Sequence, residues 1–289
     1  MKPGRSWKRI LACLLALPVA AALLTVSPLT TTGRRLRAVP LELPREQAHA
    51  RVVEPSAAAY HPRRGTILVA SDEGQIVELS LSGAELARYM LPGDLEGLAV
   101  HPDTGLVYVA AERGPTILEF DLDAGKVPRR WQVDSRELGS GHPNRQIEGL
   151  AFVPGPDGSP ALLIAWEAQP ALVARLEADL APQGSFPQDN MKDTKLPAGI
   201  ASPFAPGPHQ LSGLTYDPPT GLLLVLSAED RTITACTPDG TVRACYRLDI
   251  SKPEGICLLP DGDAVICQED KDTIWFYREF RGLLAGQGD

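Results

Sequence analysis

Short apolar runs, each broken by a cluster of Pro, Asp and Gly, recur along most of this chain. The unit is clearest between Asp94 and Phe120. Glu96-Gly97 leads into Leu98-Ala99-Val100, then the turn His101-Pro102-Asp103-Thr104-Gly105, then a second apolar run from Leu106 to Ala111 that ends at Glu112. A third run, Thr116 to Phe120, follows Arg113-Gly114-Pro115. Gly and Asp accept turn dihedrals and β-branched residues pack on a pleated surface, so the pattern predicts an antiparallel meander.

The unit returns four more times. Glu148-Gly149-Leu150 leads through Pro154–Gly158 to Ala161–Trp166 and Glu167, and Ser212-Gly213-Leu214 leads through Asp217–Gly221 to Leu222–Leu226 and Glu229. Glu254-Gly255-Ile256 leads through Pro260-Asp261-Gly262 to Ala264–Cys267 and Glu269. A weaker copy starts at Ser56, with Ala57 in the Gly position, and ends its second run at Asp72. Starts at 56, 96, 148, 212 and 254 give a mean step of 49.5 residues, the two shortest being 40 and 42. Meanders repeating at this spacing are the signature of a propeller, in which each blade buries its faces against its neighbours. The expectation is an all-β, five-bladed β-propeller.

The last copy supplies only three strands, so residues 36–48 are expected to complete that blade and close the ring. Blade one should continue with Gln75–Leu79 and Glu85–Tyr89. The two long steps arise largely from Asp134–Gln146 and the Pro-rich Gln188–Gln210. Both segments lead into an x-Gly-Leu start, and both are read as a rim or lid over one mouth of the channel.

Charge sharpens the picture. Residues 1–37 carry seven Lys and Arg and no acid, leaving 21 basic against 36 acidic side chains in 38–289. A surplus of that sign disfavours nucleic acid and suits cations. Lys2, Arg5, Lys8 and Arg9 precede an apolar run from Ile10 to Leu29. Such a segment reads as a signal or a single membrane span with the remainder exported. The boundaries expected are a signal anchor over 1–30, a linker over 31–37, the propeller over 38–280 and a tail over 281–289. Localisation at the cell membrane, with the propeller on the periplasmic side, is the reading; secretion after cleavage at Ala20-Ala21-Ala22 is the alternative. Export would permit disulfides across the hairpins, Cys236 to Cys245 and Cys257 to Cys267; four small buried hydrophobes is the equal alternative. Neither CxxC nor Cys/His metal spacing occurs, which argues against zinc.

Candidate chemistry lies at the repeat starts. Inner strands of a propeller begin near the axis, so Ser56, Glu96, Glu148, Ser212 and Glu254 should converge. Three carboxylates and two hydroxyls in a narrow channel either raise their pKa values or bind a cation. Oxygen-only donors suit a hard ion, and Ca²⁺ accepts them in irregular geometry. Glu96, Glu148 and Glu254 are the expected ligands, with Ser212 in support. The second acidic series, Asp72, Glu112, Glu167, Glu229 and Glu269, is expected to cap turns, with a pocket role as the alternative.

The phrases Ser212-Gly213-Leu214-Thr215-Tyr216-Asp217-Pro218, Asp94-Leu95-Glu96-Gly97-Leu98 and Ile76-Val77-Glu78-Leu79, after a basic-flanked apolar N-terminus, resemble the SdiA-regulated (YjiK-like) family. The resemblance covers roughly residues 40–280. It implies a five-bladed propeller in the bacterial envelope with a calcium site and no established catalytic activity. The x-Gly-Leu positions also resemble the ligand positions of calcium-dependent lactonase and arylesterase propellers, although those usually carry Asn or Asp where this chain has Glu or Ser. Two functions follow. One is an envelope-tethered calcium-binding propeller that engages an unidentified small molecule or envelope protein at the channel mouth. The other is a calcium-dependent esterase or lactonase, for which His142 and His209 in the long loops are the candidate general bases. No Gly-x-Ser-x-Gly elbow or phosphate loop is present, which sets aside serine-hydrolase and nucleotide chemistry.

Overall fold

Val39–Pro40 (β1) and Arg45–Gln47 (β2) precede four four-stranded meanders and a final three-stranded one. The computed structural model describes residues 38–111, 114–134, 147–155, 157–167, 172–176, 194–199 and 210–285. Blade one comprises β3 (Pro55–His61), β4 (Thr66–Ser71), β5 (Gln75–Leu79) and β6 (Glu85–Met90); blade two comprises β7 (Leu95–Val100), β8 (Val107–Ala111), β9 (Thr116–Asp121) and β10 (Lys126–Asp134). Blade three is β11 (Ile147–Pro154), β12 (Pro160–Trp166), β13 (Leu172–Leu176) and β14 (Thr194–Gly199). Blade four is β15 (Leu211–Asp217), β16 (Leu222–Ser227), β17 (Thr232–Cys236) and β18 (Val242–Arg247). Blade five is β19 (Pro253–Leu258), β20 (Ala264–Gln268) and β21 (Thr273–Tyr277), followed by the helix α1 (Phe280–Ala285). All five repeat starts fall on innermost strands, so the five-bladed propeller expected from the repeats is the fold.

The core is divided among the seams between blades. Leu68, Ile76, Val109 and Leu118 pack blade one on blade two; Tyr108, Trp131, Leu150 and Ile164 pack two on three. Val153, Leu163, Leu214 and Val225 join three to four, and Leu224, Ile233, Ile256 and Ile266 join four to five. Val69, Val77, Val265 and Ile274 return from five to one. Each apolar face of a blade is thereby covered by its neighbour, as the strand alternation requires.

The inner strands meet at the axis through glycine. A Cβ on Gly213 would lie 2.6 Å from the Glu254 carbonyl oxygen, and one on Gly255 would lie 2.6 Å from the Ala57 Cα. Backbone atoms of the next blade occupy the space that any side chain would need, which is why the repeat carries Gly at this position.

Three regions differ from the sequence expectation. The described residues of 36–48 do not act as one strand: β2 pairs antiparallel with β21, Arg45 opposite Tyr277, whereas β1 lies parallel to β18, Val39 opposite Tyr246. The Gln188–Gln210 segment, read as loop, contains β14, which pairs antiparallel with β13 and parallel with β10 and so joins blades two and three in one eight-stranded sheet. The expected tail at 281–289 opens within α1, which buries Phe280 and Leu284 against blades four and five. The four C-terminal cysteines are free thiols. Cys245 stands opposite Thr234 and Cys257 opposite Val265, each two residues away from the register that would pair the sulfurs. The anchor assigned to 1–30, the linker at 31–37 and the loop at 135–146 lie outside the described residues.

Candidate cation site at the channel mouth

Every inner strand begins with a break in register at the residue before the Gly position. The ladder skips from Pro55 to Ala57, Leu95 to Gly97, Ile147 to Gly149 and Leu211 to Gly213, and in blade five from Pro253 to Ile256. Ser56, Glu96, Glu148, Ser212 and Glu254 are therefore bulge residues, released from the ladder and re-aimed, a device common beside functional sites.

A cavity of about 340 Å³ lies at this end of the axis. Glu96, Glu148, Ser212 and Glu254 line it, and so do Asp72, Glu167, Glu229 and Glu269 from the ends of the second strands. Members of both acidic series thus line one cavity. Ser56 is not among the lining residues; its hydroxyl donates to the Leu95 carbonyl of blade two. Ser212 donates likewise to the Pro253 carbonyl of blade five at 2.7 Å, so its hydroxyl stitches blades while leaving oxygen lone pairs free to accept. Glu112, His142 and His209 lie outside the described residues.

The electrostatics are those of crowded, poorly solvated acids. Burial, then the charges of Glu269 and Glu54, raise Asp72 from 3.8 to about 7. One of its carboxylate oxygens, Oδ1, is buried with no hydrogen-bond partner among the described residues. Burial, followed by the charges of Glu269 and Glu96 and a hydrogen bond with Glu269, holds Glu254 well above the usual carboxylate range. Like charges that cannot all ionise in one place share protons or take up a cation.

Lys252 and Gln210 also line the cavity, and sequence reasoning missed both. The Lys252 ammonium donates to both carboxylate oxygens of Glu269, at 2.9 and 2.8 Å. The two residues share a position two before the bulge and a left-handed backbone, φ 41° and 43°, as does Glu54 at 45°. Non-glycine residues in that region are uncommon. Here the conformation turns the carbonyls of Glu54, Gln210 and Lys252 toward the amides of Asp72, Ala228 and Glu269, at 3.1–3.2 Å, tying each bulge to the end of the second strand. A polar residue at this offset in every repeat (Glu54, Asp94, Gln146, Gln210, Lys252) was the available signal.

Glu96, Glu148 and Glu254 line one cavity, but among the described residues no three acidic, His or Cys side chains are gathered closely enough to hold a metal as they stand. Lys252 already holds Glu269. The donor chemistry nonetheless fits a hard cation: all oxygens, with Asp72 Oδ1 buried and unpartnered.

A five-bladed β-propeller with an acid-lined mouth is the class of protein that this fold and cavity define. The chain belongs to the SdiA-regulated family, whose profile matches residues 37–257 and 208–278. Among solved structures it is similar to the glutaminyl cyclase of Myxococcus xanthus, at 15% identity over 84% of this chain and 97% of that one, with a TM-score of 0.56; the likeness is one of fold. The calcium-binding protein regucalcin of Agrobacterium tumefaciens aligns at 14% identity over 83% of this chain and 95% of that one, with a TM-score of 0.49. The mouse and human E3 ubiquitin-protein ligases TRIM32 are 36% identical over 62 residues, which is 22% of this chain and 10% of theirs, so the match spans a tenth of those ligases.

Proposed function

We infer that this protein is an envelope-tethered propeller that binds calcium at its acidic mouth and there engages a small ligand or an envelope partner. The observation that carries the reading is the convergence of seven carboxylates from all five blades on one cavity. Such a cluster is costly unless protonated or neutralised, and a divalent oxygen-seeking ion relieves the cost most completely. Glu96, Glu148 and Glu254 are the proposed ligands, with Asp72 Oδ1 and Ser212 as supporting oxygens. The tether rests on the basic residues before Ile10–Leu29. Closure of the ring by β2 belongs to the same proposal and is supported by its pairing with β21.

Calcium titration by calorimetry tests the site, with melting followed in parallel. At an ion concentration a hundredfold above the dissociation constant, stabilisation is about 2.7 kcal/mol. That corresponds to a rise of roughly 5–10 °C in melting temperature for a domain of this size. Triple substitution of Glu96, Glu148 and Glu254 to Gln removes the heat and the rise. A wild type that gives neither, with or without chelator, refutes the site. A mature chain beginning near Leu23 and free in solution refutes the tether.

A further inference from the structure

The channel has a second chamber. A cavity of about 700 Å³ opens at the opposite end of the axis, sharing no lining residue with the acidic one, and the crowded Gly positions lie between them in every inner strand. Its walls follow the repeat as strictly as the acids do. Three residues after each bulge stand Ala59, Ala99, Ala151, Thr215 and Cys257, all small. The next residue is large in every blade: Tyr60, Val100, Phe152, Tyr216 and Leu258. Six after the bulge is proline without exception: Pro62, Pro102, Pro154, Pro218 and Pro260. All fifteen line the cavity.

Ala59, Ala99, Ala151 and Cys257 are buried in the seams between blades and also reach the cavity wall. A Leu at two of these positions would fill much of the throat, and natural cores close voids of this kind. Five small residues beneath five large apolar ones and a ring of prolines therefore keep a chamber open. The buried Cys257 thiol, 2% exposed, has no hydrogen-bond partner among the described residues.

Of the charged groups at the chamber, Arg281 and Asp217 are paired with each other and Asp103 is exposed at its edge. Arg281, the one cation lining the chamber, is already bound to Asp217 at 2.9 Å and to the carbonyls of Leu259 and Pro260 at 2.8 and 3.0 Å. The hydroxyls of Tyr60 and Tyr216 make no hydrogen bond to another described residue. Apolar walls, aromatic and proline rings at the rim and a few uncommitted hydroxyls are the make-up of a small-molecule site. We propose that this chamber binds a neutral, ring-containing apolar molecule bearing one or two hydrogen-bonding groups, independently of the cation site.

Indole is a suitable probe, followed on the full-length chain by saturation-transfer NMR and calorimetry. Wild type binds it saturably below about 1 mM, in the range expected of a fragment. Paired Ala151→Leu and Thr215→Leu substitutions narrow the throat and weaken binding at least about tenfold, since overpacked space no longer admits a ring. Tyr216→Ala, which fills nothing, weakens binding up to about tenfold through the lost ring contact and covers the case in which the narrowed chain does not fold. Chelator and Glu254→Gln leave indole binding unchanged, which separates this chamber from the acidic one whether or not calcium binds there. Failure of the wild type to bind overturns the proposal, as does equal binding by the narrowed or Tyr216 variants or a dependence on chelator.

Discussion

Asp72→Asn is the substitution that most directly reports on the crowded acids. In the folded protein Asp72 titrates near 7, against 3.8 in an unstructured chain. Between these values the folded state holds a proton that the unfolded state has released. Stability contributed by this group is thus full below about pH 4 and declines as pH rises through 7. A difference of about three in pKa corresponds to roughly 4 kcal/mol as a ceiling. Asp72 is partly solvated, so screening reduces this to about 2 kcal/mol. Asn cannot ionise, and its amide can donate to the carboxylates around it. In the presence of chelator at pH 8, Asp72→Asn should melt about 4–8 °C above wild type, using 2–4 °C per kcal/mol for a domain of this size. The two should converge as the buffer is taken to pH 4. With saturating calcium the order reverses, because the variant has lost a supporting oxygen. Scanning fluorimetry from pH 4 to 9, with chelator and with calcium, reads all three outcomes. Equal melting at pH 8 in chelator, or a variant that melts lower there, would refute the account of Asp72 as an ionised and uncompensated acid.

Three further outcomes are expected. Lys252→Met removes the ammonium that holds Glu269 and should tighten calcium binding by about fivefold by calorimetry, the worth of a partly exposed pair. Gly255→Ala drives a Cβ into backbone and should cost about 3 kcal/mol in urea unfolding; Gly125→Ala, with open space but φ of 61°, should cost only about 1–2 kcal/mol. Arg281→Ala leaves Asp217, 1% exposed, without its cation and should cost about 3 kcal/mol, much of it restored by adding Asp217→Asn.

The ring of blades and most of the acidic cavity were legible because both are written at fixed offsets in a repeat. What escaped was set by geometry that the repeat does not encode. The turn sets the register of the hairpin, and a two-residue offset places Cys245 opposite Thr234 rather than Cys236. Thr194–Gly199 was read as loop because its Pro and Gly content argues against a strand; pairing with β13 on one side and β10 on the other, contacts far apart in sequence, makes it one. Lys252 was missed because attention to carboxylates passed over the position two residues earlier, although that residue shapes the mouth through its left-handed backbone.

The glycines at the axis also bear on how many blades the ring contains. Inner strands of a larger ring stand on a wider circle, so the backbones now within 2.6–3.3 Å of an added Cβ would draw apart. A sixth repeat would turn that contact into a hole, joining the acidic and apolar chambers into one bore through the disc. Duplication of a repeat is an easy step for a gene, yet here it would sacrifice the floor that both chambers share. Five residues without side chains, or with one methyl group, thus help to hold the blade number at five.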